Sequence, residues 1–345
     1  MNHLTYLIGA GASKNALPLD NDLMSVLREL TSKRKEYGNL SEDVITQRYL
    51  ESFESRFKNV VELATREKSI DTLAKIHQYD SDMFYNIKNL IWSYFSIAAG
   101  RNILDYRYKN LLMKVQDDNA SRFKIKDNVS FISWNYDLQI EESIASIDKI
   151  EIWKVAEKYY TYPGYELLNP DLMNRNANPK LFKLIHLNGC AGFYRKIPSN
   201  NYTHWCGCDI SDPYQFNKFV NLVEQNLYTN TINSNSNRNS ISFAFENNHL
   251  KENSLKLTKQ IAAATSHLVI IGYSLPDFNK AIDSEILNEM KNLKYICIQN
   301  PQAEKLKTKL IGISKNIGYK FEMEGLKFNL ESDDMNEFHL PADIF

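Results

Sequence analysis

Cysteine is scarce in this chain, with Cys190, Cys206, Cys208 and Cys297 the only four among 345 residues. That is too few for the disulfide framework of a secreted scaffold of this size. Charge of one sign is lacking as well: 41 lysines and arginines against 42 aspartates and glutamates leave a formal net charge of -1. A phosphate backbone or an anionic lipid surface is normally met by a clear basic excess, so nothing in the balance points to nucleic acid or membrane as a primary ligand, although a local basic patch stays open. No apolar run reaches the length of a membrane span, and no basic segment precedes a signal-type apolar stretch at the N-terminus. Together these absences predict a cytoplasmic protein. What is present, 43% hydrophobic and 24% charged residues, is ordinary for a globular chain long enough to bury a core.

The most informative stretch is Gly9-Ala10-Gly11-Ala12-Ser13, directly after the short apolar run Leu4 to Ile8. A buried strand that runs into a glycine turn is how doubly wound folds hold a diphosphate, because glycine supplies tight turns and lets the backbone approach phosphate oxygens with no Cβ in the way. Ser13 adds a hydroxyl. The full dinucleotide fingerprint is absent, since its third glycine would fall at Lys14, so an ordinary strand-to-loop turn is the competing reading.

Further strand candidates are Val129 to Ser133, Leu181 to His186, His267 to Gly272 and Tyr295 to Gln299. Each is short and apolar, and helical stretches separate them, which predicts an α/β fold with a mainly parallel, Rossmann-like sheet and right-handed crossovers. From about residue 21 to 118 the pattern is helical: Ile45, Tyr49, Phe53, Phe57, Val60 and Ala64 recur at spacings of three and four and share one helix face. The aromatic stretch Phe84 to Tyr108 reads as core, with a partner surface as the alternative. Ligands of parallel sheets bind at the carboxyl ends of the strands. There the chain carries Asn135 and Asp137, His186 followed by Gly189, Gly272-Tyr273-Ser274, and Asn300.

In kind and in order these residues resemble the Sir2-like (sirtuin-type) NAD-consuming domains, and most closely their prokaryotic anti-phage defence branch. The resemblance covers the sheet-forming half of the chain. It implies an NAD-binding core at 1–20 and 128–318 within one domain over 1–345, while the helical spacing and the C-terminal alternation, which no family motif carries, give a helical insertion at 21–127 and a hairpin or tail at 319–345. It also implies NAD+ as substrate, cleaved to nicotinamide and ADP-ribose. On that reading Gly9, Ala10, Gly11, Ala12 and Ser13 lie against the diphosphate, Gly272 and Ser274 touch the phosphate and adenosine ribose side, and Asn300 bonds the adenosine ribose. Asp137 lies near the nicotinamide amide. Asn135 and His186 match the catalytic positions. Asn135 can hold a water or a ribose hydroxyl without carrying charge, and His186 can accept a proton at neutral pH. The competing reading of His186 is a histidine satisfied by backbone bonds at a strand end.

The departures from that family narrow the activity. Deacylating sirtuins carry two Cys-x-x-Cys pairs, whereas this chain has Cys190, His204, Cys206 and Cys208 at an unusual spacing, so no metal is expected. Leu17-Pro18-Leu19-Asp20 stands where an Asp-Phe-Arg is common. Both favour NAD+ hydrolysis over deacylation or ADP-ribosyl transfer; a non-catalytic sensor of NAD+ or ADP-ribose is the other rival. The resemblance implies a homo-oligomer, or control by a HerA-type ATPase or an Argonaute-like partner through the insertion. The Asn/Ser-rich stretch 228–248 reads as a loop, either a lid over the site or a solvated insertion. Residues 319–345 alternate around Phe321, Met323, Leu326 and Phe328, which predicts a short hairpin. The end from Phe338 to Phe345 either docks on a neighbour or tucks into its own fold.

Overall fold

Five-residue runs with no polar alternation suit strands covered on both faces, and they form the middle of a parallel sheet. The computed structural model describes residues 2–17, 32, 36, 44–67, 70–100, 103–165, 182–196, 201–204, 212–219, 239–332 and 336–344. Within these, strands β1 (Leu4–Ile8), β2 (Val129–Ser133), β3 (Thr161–Tyr162), β4 (Leu184–His186), β8 (His267–Ile271), β9 (Tyr295–Gln299) and β10 (Lys327–Glu331) build one sheet. Its order is β10-β9-β8-β1-β2-β4-β3, and every pairing is parallel. The fold is thus α/β and Rossmann-like. The register aligns the strand ends: Ile8 pairs with Ser133 on one side and Ile271 on the other, Ser133 pairs with His186, and Ile271 pairs with Gln299. Gly9, Trp134, Leu187, Gly272 and Asn300 therefore leave the sheet side by side.

Two apolar layers sandwich this sheet. Leu4, Tyr6, Ile8, Phe131 and Val269 face helices α4 (Tyr106–Lys114), α5 (Gln139–Asp148) and α6 (Ile152–Lys158). Leu7, Ile132, Ile270 and Ile298 face α7 (His249–Ala264), α8 (Lys280–Glu289), α9 (Ala303–Ile313) and α10 (Lys315–Met323). A third core joins α1 (Val44–Glu67), α2 (Ile70–Ile76) and α3 (Ser81–Gly100) to a small antiparallel sheet of β5 (Gly189–Lys196), β6 (Asn201–His204) and β7 (Asn239–Ile241). Phe57, Val60 and Ala64 are buried there, as their spacing predicts; the side chains of Ile45, Tyr49 and Phe53 lie outside the described set. Trp92 is buried in the same core. No helix among the described residues is long and apolar enough to cross a membrane.

Three expectations need correction. The insertion does not run to residue 127 as one unit, because α4 packs under the main sheet and the insertion core borrows β5 to β7 from beyond β4. Residues 239–241 are a strand rather than loop, while 228–238 lie outside the described residues. The C-terminal hairpin is a helix and a parallel strand: α10 is the crossover that carries the chain from α9 to β10, and β10 pairs with β9. Ser314 caps α10 by accepting from the Ile317 amide, and Gly325, at φ 66°, ends it in the left-handed conformation that stops helices. Two-residue alternation over so short a run did not reveal that helix. The tail tucks inward, with Phe338 buried edge-on against Tyr108 at 4.9 Å between ring centroids.

Candidate functional site

From β1 the chain passes to β2 on one side, whereas from β8 it passes to β9 on the other, so a crevice opens outside the carboxyl ends of β1 and β8. Such a reversal is where open α/β sheets take their ligands. The turns that follow the two strands interlock in this crevice. A Cβ on Gly272 would sit 2.1 Å from the Ala12 nitrogen, and Gly272 has φ +60°. A Cβ on Gly9 would come within 2.6 Å of the Tyr273 Cα. Only glycine lets the two backbones nest so closely. Their amides close the junction: Gly9 N–H donates to Ile271 O at 3.0 Å, Gly11 N–H to Gly272 O at 3.0 Å and Ala12 N–H to Gly9 O at 2.9 Å. Of the amides at 9–12, Ala10 N–H alone has no described partner. From below, Arg107 donates to Ala12 O at 2.7 Å, pairs with Asp105 and lies 4.8 Å from the centre of the Phe338 ring.

A cavity of about 640 Å³ occupies the crevice. Gly9, Ala10, Gly11, Ser13, Asn135, Asp137, Gly272, Ser274 and Asn300 all line it; Ala12 and His186 do not. Four strand ends thus bring nine of the eleven sequence-predicted residues to one space. The insertion roofs it with Asp71 from α2 and Tyr94 and Phe95 from α3.

The polar end of the cavity is fixed by its own bonds. Asn135 Nδ2 donates to Gly9 O at 3.1 Å, with Ser13 Oγ at 3.4 Å, which leaves Asn135 Oδ1 as the acceptor facing the cavity. Ser13 Oγ donates to Asp137 Oδ2 at 2.9 Å and lies 3.0 Å from the Tyr108 hydroxyl. Burial raises the Asp137 pKa above the usual carboxylate range, against the pull of the Gln139 amide and the Ser13 hydroxyl. Asn300 Oδ1 accepts from the Gln302 amide at 2.9 Å, so its NH2 group is the end left for a ligand.

His186 is buried behind this surface. Its Nδ1 lies 3.0 Å from the Asn135 backbone oxygen and its Nε2 lies 2.8 Å from Glu141 Oε1. A carbonyl only accepts, so Nδ1 carries a proton, and the other nitrogen shares a proton with the carboxyl. Burial alone would lower the His186 pKa, but Glu141 and the Asn135 carbonyl outweigh it and the net shift is upward. No ring nitrogen is left to act as a base on a ligand. The imidazole instead fixes the backbone that carries Asn135.

Sequence reasoning gave no role to several residues here. Asn188 lines the cavity two positions beyond His186. Trp134 and Tyr273 also line it and stack at 5.9 Å, and both donate to Asp283, Trp134 Nε1 at 3.2 Å and Tyr273 Oη at 2.8 Å. Burial lifts the Asp283 pKa to about 7. The signal for Asn188 was its place two residues past the end of β4. Cys206 and Cys208 lie outside the described residues, and Cys190 is buried with its thiol pKa raised by burial. Among the described residues, one group brings three metal-type ligands within 4.8 Å: Cys297, Glu331 and His339, near the C-terminal tail. None of these lines the cavity. The nitrogens of His339 already bond Glu331 at 2.7 Å and the Tyr295 hydroxyl at 2.9 Å. No protein-family model matches the chain, and no curated protein matches it significantly.

Proposed function

We propose that the cavity binds NAD+ and hydrolyses the bond between nicotinamide and ribose. The observation that carries this reading is the convergence of Gly9 to Ser13, Asn135 with Asp137, Gly272 with Ser274, and Asn300 on one crevice between β1 and β8. About 640 Å³ suits a cofactor-sized ligand. Water bonds to the anomeric carbon as the C–N electron pair returns to the pyridinium ring, so nicotinamide leaves neutral and needs no strong acid. Asn135 Oδ1 orients the water or a ribose hydroxyl. A carboxylate at the cavity stabilises the oxocarbenium-like centre and takes the water proton. Asp137 and Asp71 line the cavity, whereas His186 does not, so the carboxylates replace the histidine as candidate base. By its resemblance to defence sirtuins, the chain would deplete NAD+ during phage infection under the control of self-assembly or a partner.

The second reading, a sensor that binds NAD+ or ADP-ribose without turnover, is favoured by the commitment of both His186 nitrogens. Chromatography of products from NAD+ separates the two. The hydrolase reading expects nicotinamide and ADP-ribose from the wild type and at least about 100-fold less from Asn135→Ala at saturating NAD+. Binding without product in the wild type, in its assembled or partner-bound state as well as alone, favours the sensor, and absence of binding removes both readings.

A further inference from the structure

Lys251 stands where a lysine is costly. It lies in the first turn of α7, where the helix dipole disfavours a cation, and only 5% of it is exposed. Three contacts offset this. Nζ donates to Leu187 O at 2.8 Å and to Asn188 Oδ1 at 3.1 Å, and it lies 4.7 Å from the centre of the Trp134 ring. Burial holds the ammonium pKa down to about 7, against the pull of Glu246, Asp283 and Asp71. All three contacts are to residues that follow β2 or β4, at the back of the cavity wall.

The bond to Asn188 has a directional consequence. An ammonium only donates, so it fixes the carbonyl end of the Asn188 side chain and turns the NH2 the other way. Asn188 Nδ2 makes a long bond, 3.4 Å, to the Tyr136 hydroxyl, which makes another of 3.4 Å to Asp71 Oδ1. A chain of donors thus runs from the cation on α7 to the carboxylate on α2, and Asn188, Tyr136 and Asp71 all line the cavity. Asn135, anchored through Gly9 O, presents the opposite polarity with its free Oδ1.

We propose that Lys251 is a positioning residue that holds Asn188 as a hydrogen-bond donor to the ligand, and that Asn188 Nδ2 and Asn135 Oδ1 together read a neutral group with both a donor and an acceptor. This inference rests on the dinucleotide reading above. In NAD+ two kinds of group have that character, a ribose hydroxyl and the nicotinamide carboxamide. A charged carboxylate in the same place would lack the hydrogen that Asn135 Oδ1 needs.

The test is calorimetric binding of ADP-ribose and of carba-NAD+, in which a methylene replaces the ribose ring oxygen and blocks cleavage. Asn188→Asp keeps the shape and still pairs with Lys251, but it loses the donor. It is expected to weaken binding about tenfold, the worth of one hydrogen bond. Loss toward both ligands identifies the ribose hydroxyl, and loss toward carba-NAD+ alone identifies the carboxamide. Lys251→Met is expected to weaken binding in the wild type yet to have no further effect in Asn188→Ala, which a merely structural lysine would not show. Wild-type affinity in Asn188→Asp, or an equal effect of Lys251→Met in both backgrounds, overturns the inference while leaving the dinucleotide reading intact. A wild type that binds neither ligand overturns both.

Discussion

His186 shows how one side chain changes meaning once its neighbours are known. A histidine at a strand end beside Asn135 reads as a base in sequence, and the deciding partner, Glu141, comes from α5. Its role is therefore set by packing that no local pattern announces. Replacing it leaves the Glu141 carboxylate buried, with Oε2 already lacking a partner. His186→Ala is expected to cost about 3 kcal/mol in urea unfolding, as for a broken buried pair. A near-neutral value would contradict the stabilising pair of His186 and Glu141. Asp283 makes a second prediction. Its pKa is raised from 3.8 to about 7, so between those values the folded state binds more protons than the unfolded one. Its contribution to stability is present below about pH 4 and is lost as pH rises through about 7. Thermal unfolding of Asp283→Asn should accordingly gain on the wild type as pH rises from 4 to 7. A constant difference in Tm over that range would contradict the assignment.

Among the elements, the strands were the most legible. Val129 to Ser133 and Tyr295 to Gln299 are strands as read, and the site residues placed just after such runs do meet. Two-residue β3 and three-residue β7 were not legible, because runs so short carry no periodicity. The pattern around Phe321 misled because it spans two elements: Phe321 and Met323 lie exposed on the last turn of α10, whereas Phe328 belongs to β10, and Ser314 and Gly325 were the better signals. The glycine turn was legible as a turn, but its interlock with Gly272 was not, because Gly272 lies far along the chain. Gly272→Ala forces a Cβ against the Ala12 nitrogen in a left-handed backbone and should cost about 2 kcal/mol or more. By contrast, Gly312 lies in α9, where a Cβ would meet nothing within 4 Å, and Gly312→Ala should stabilise by about 0.5 kcal/mol. Chemical unfolding of the pair checks both signs.

In the whole molecule, the insertion and the sheet make the cavity jointly. The sheet supplies glycines, amides and a carboxylate from its strand ends; α2 and α3 add Asp71 and an aromatic roof. Residues scattered from Gly9 to Asn300 become neighbours through the parallel register, which is why the order of the motifs was readable long before their geometry. The roof was not readable, since an apolar helix face looks the same whether it packs on protein or on a ligand. The central claim is that the β1/β8 crevice is a dinucleotide site, and a crystal structure of the protein with ADP-ribose tests it most directly. The account predicts the diphosphate against the Gly9 to Ser13 turn and a ribose beside Asn135 Oδ1. ADP-ribose bound anywhere else, with the crevice left to solvent, would contradict it.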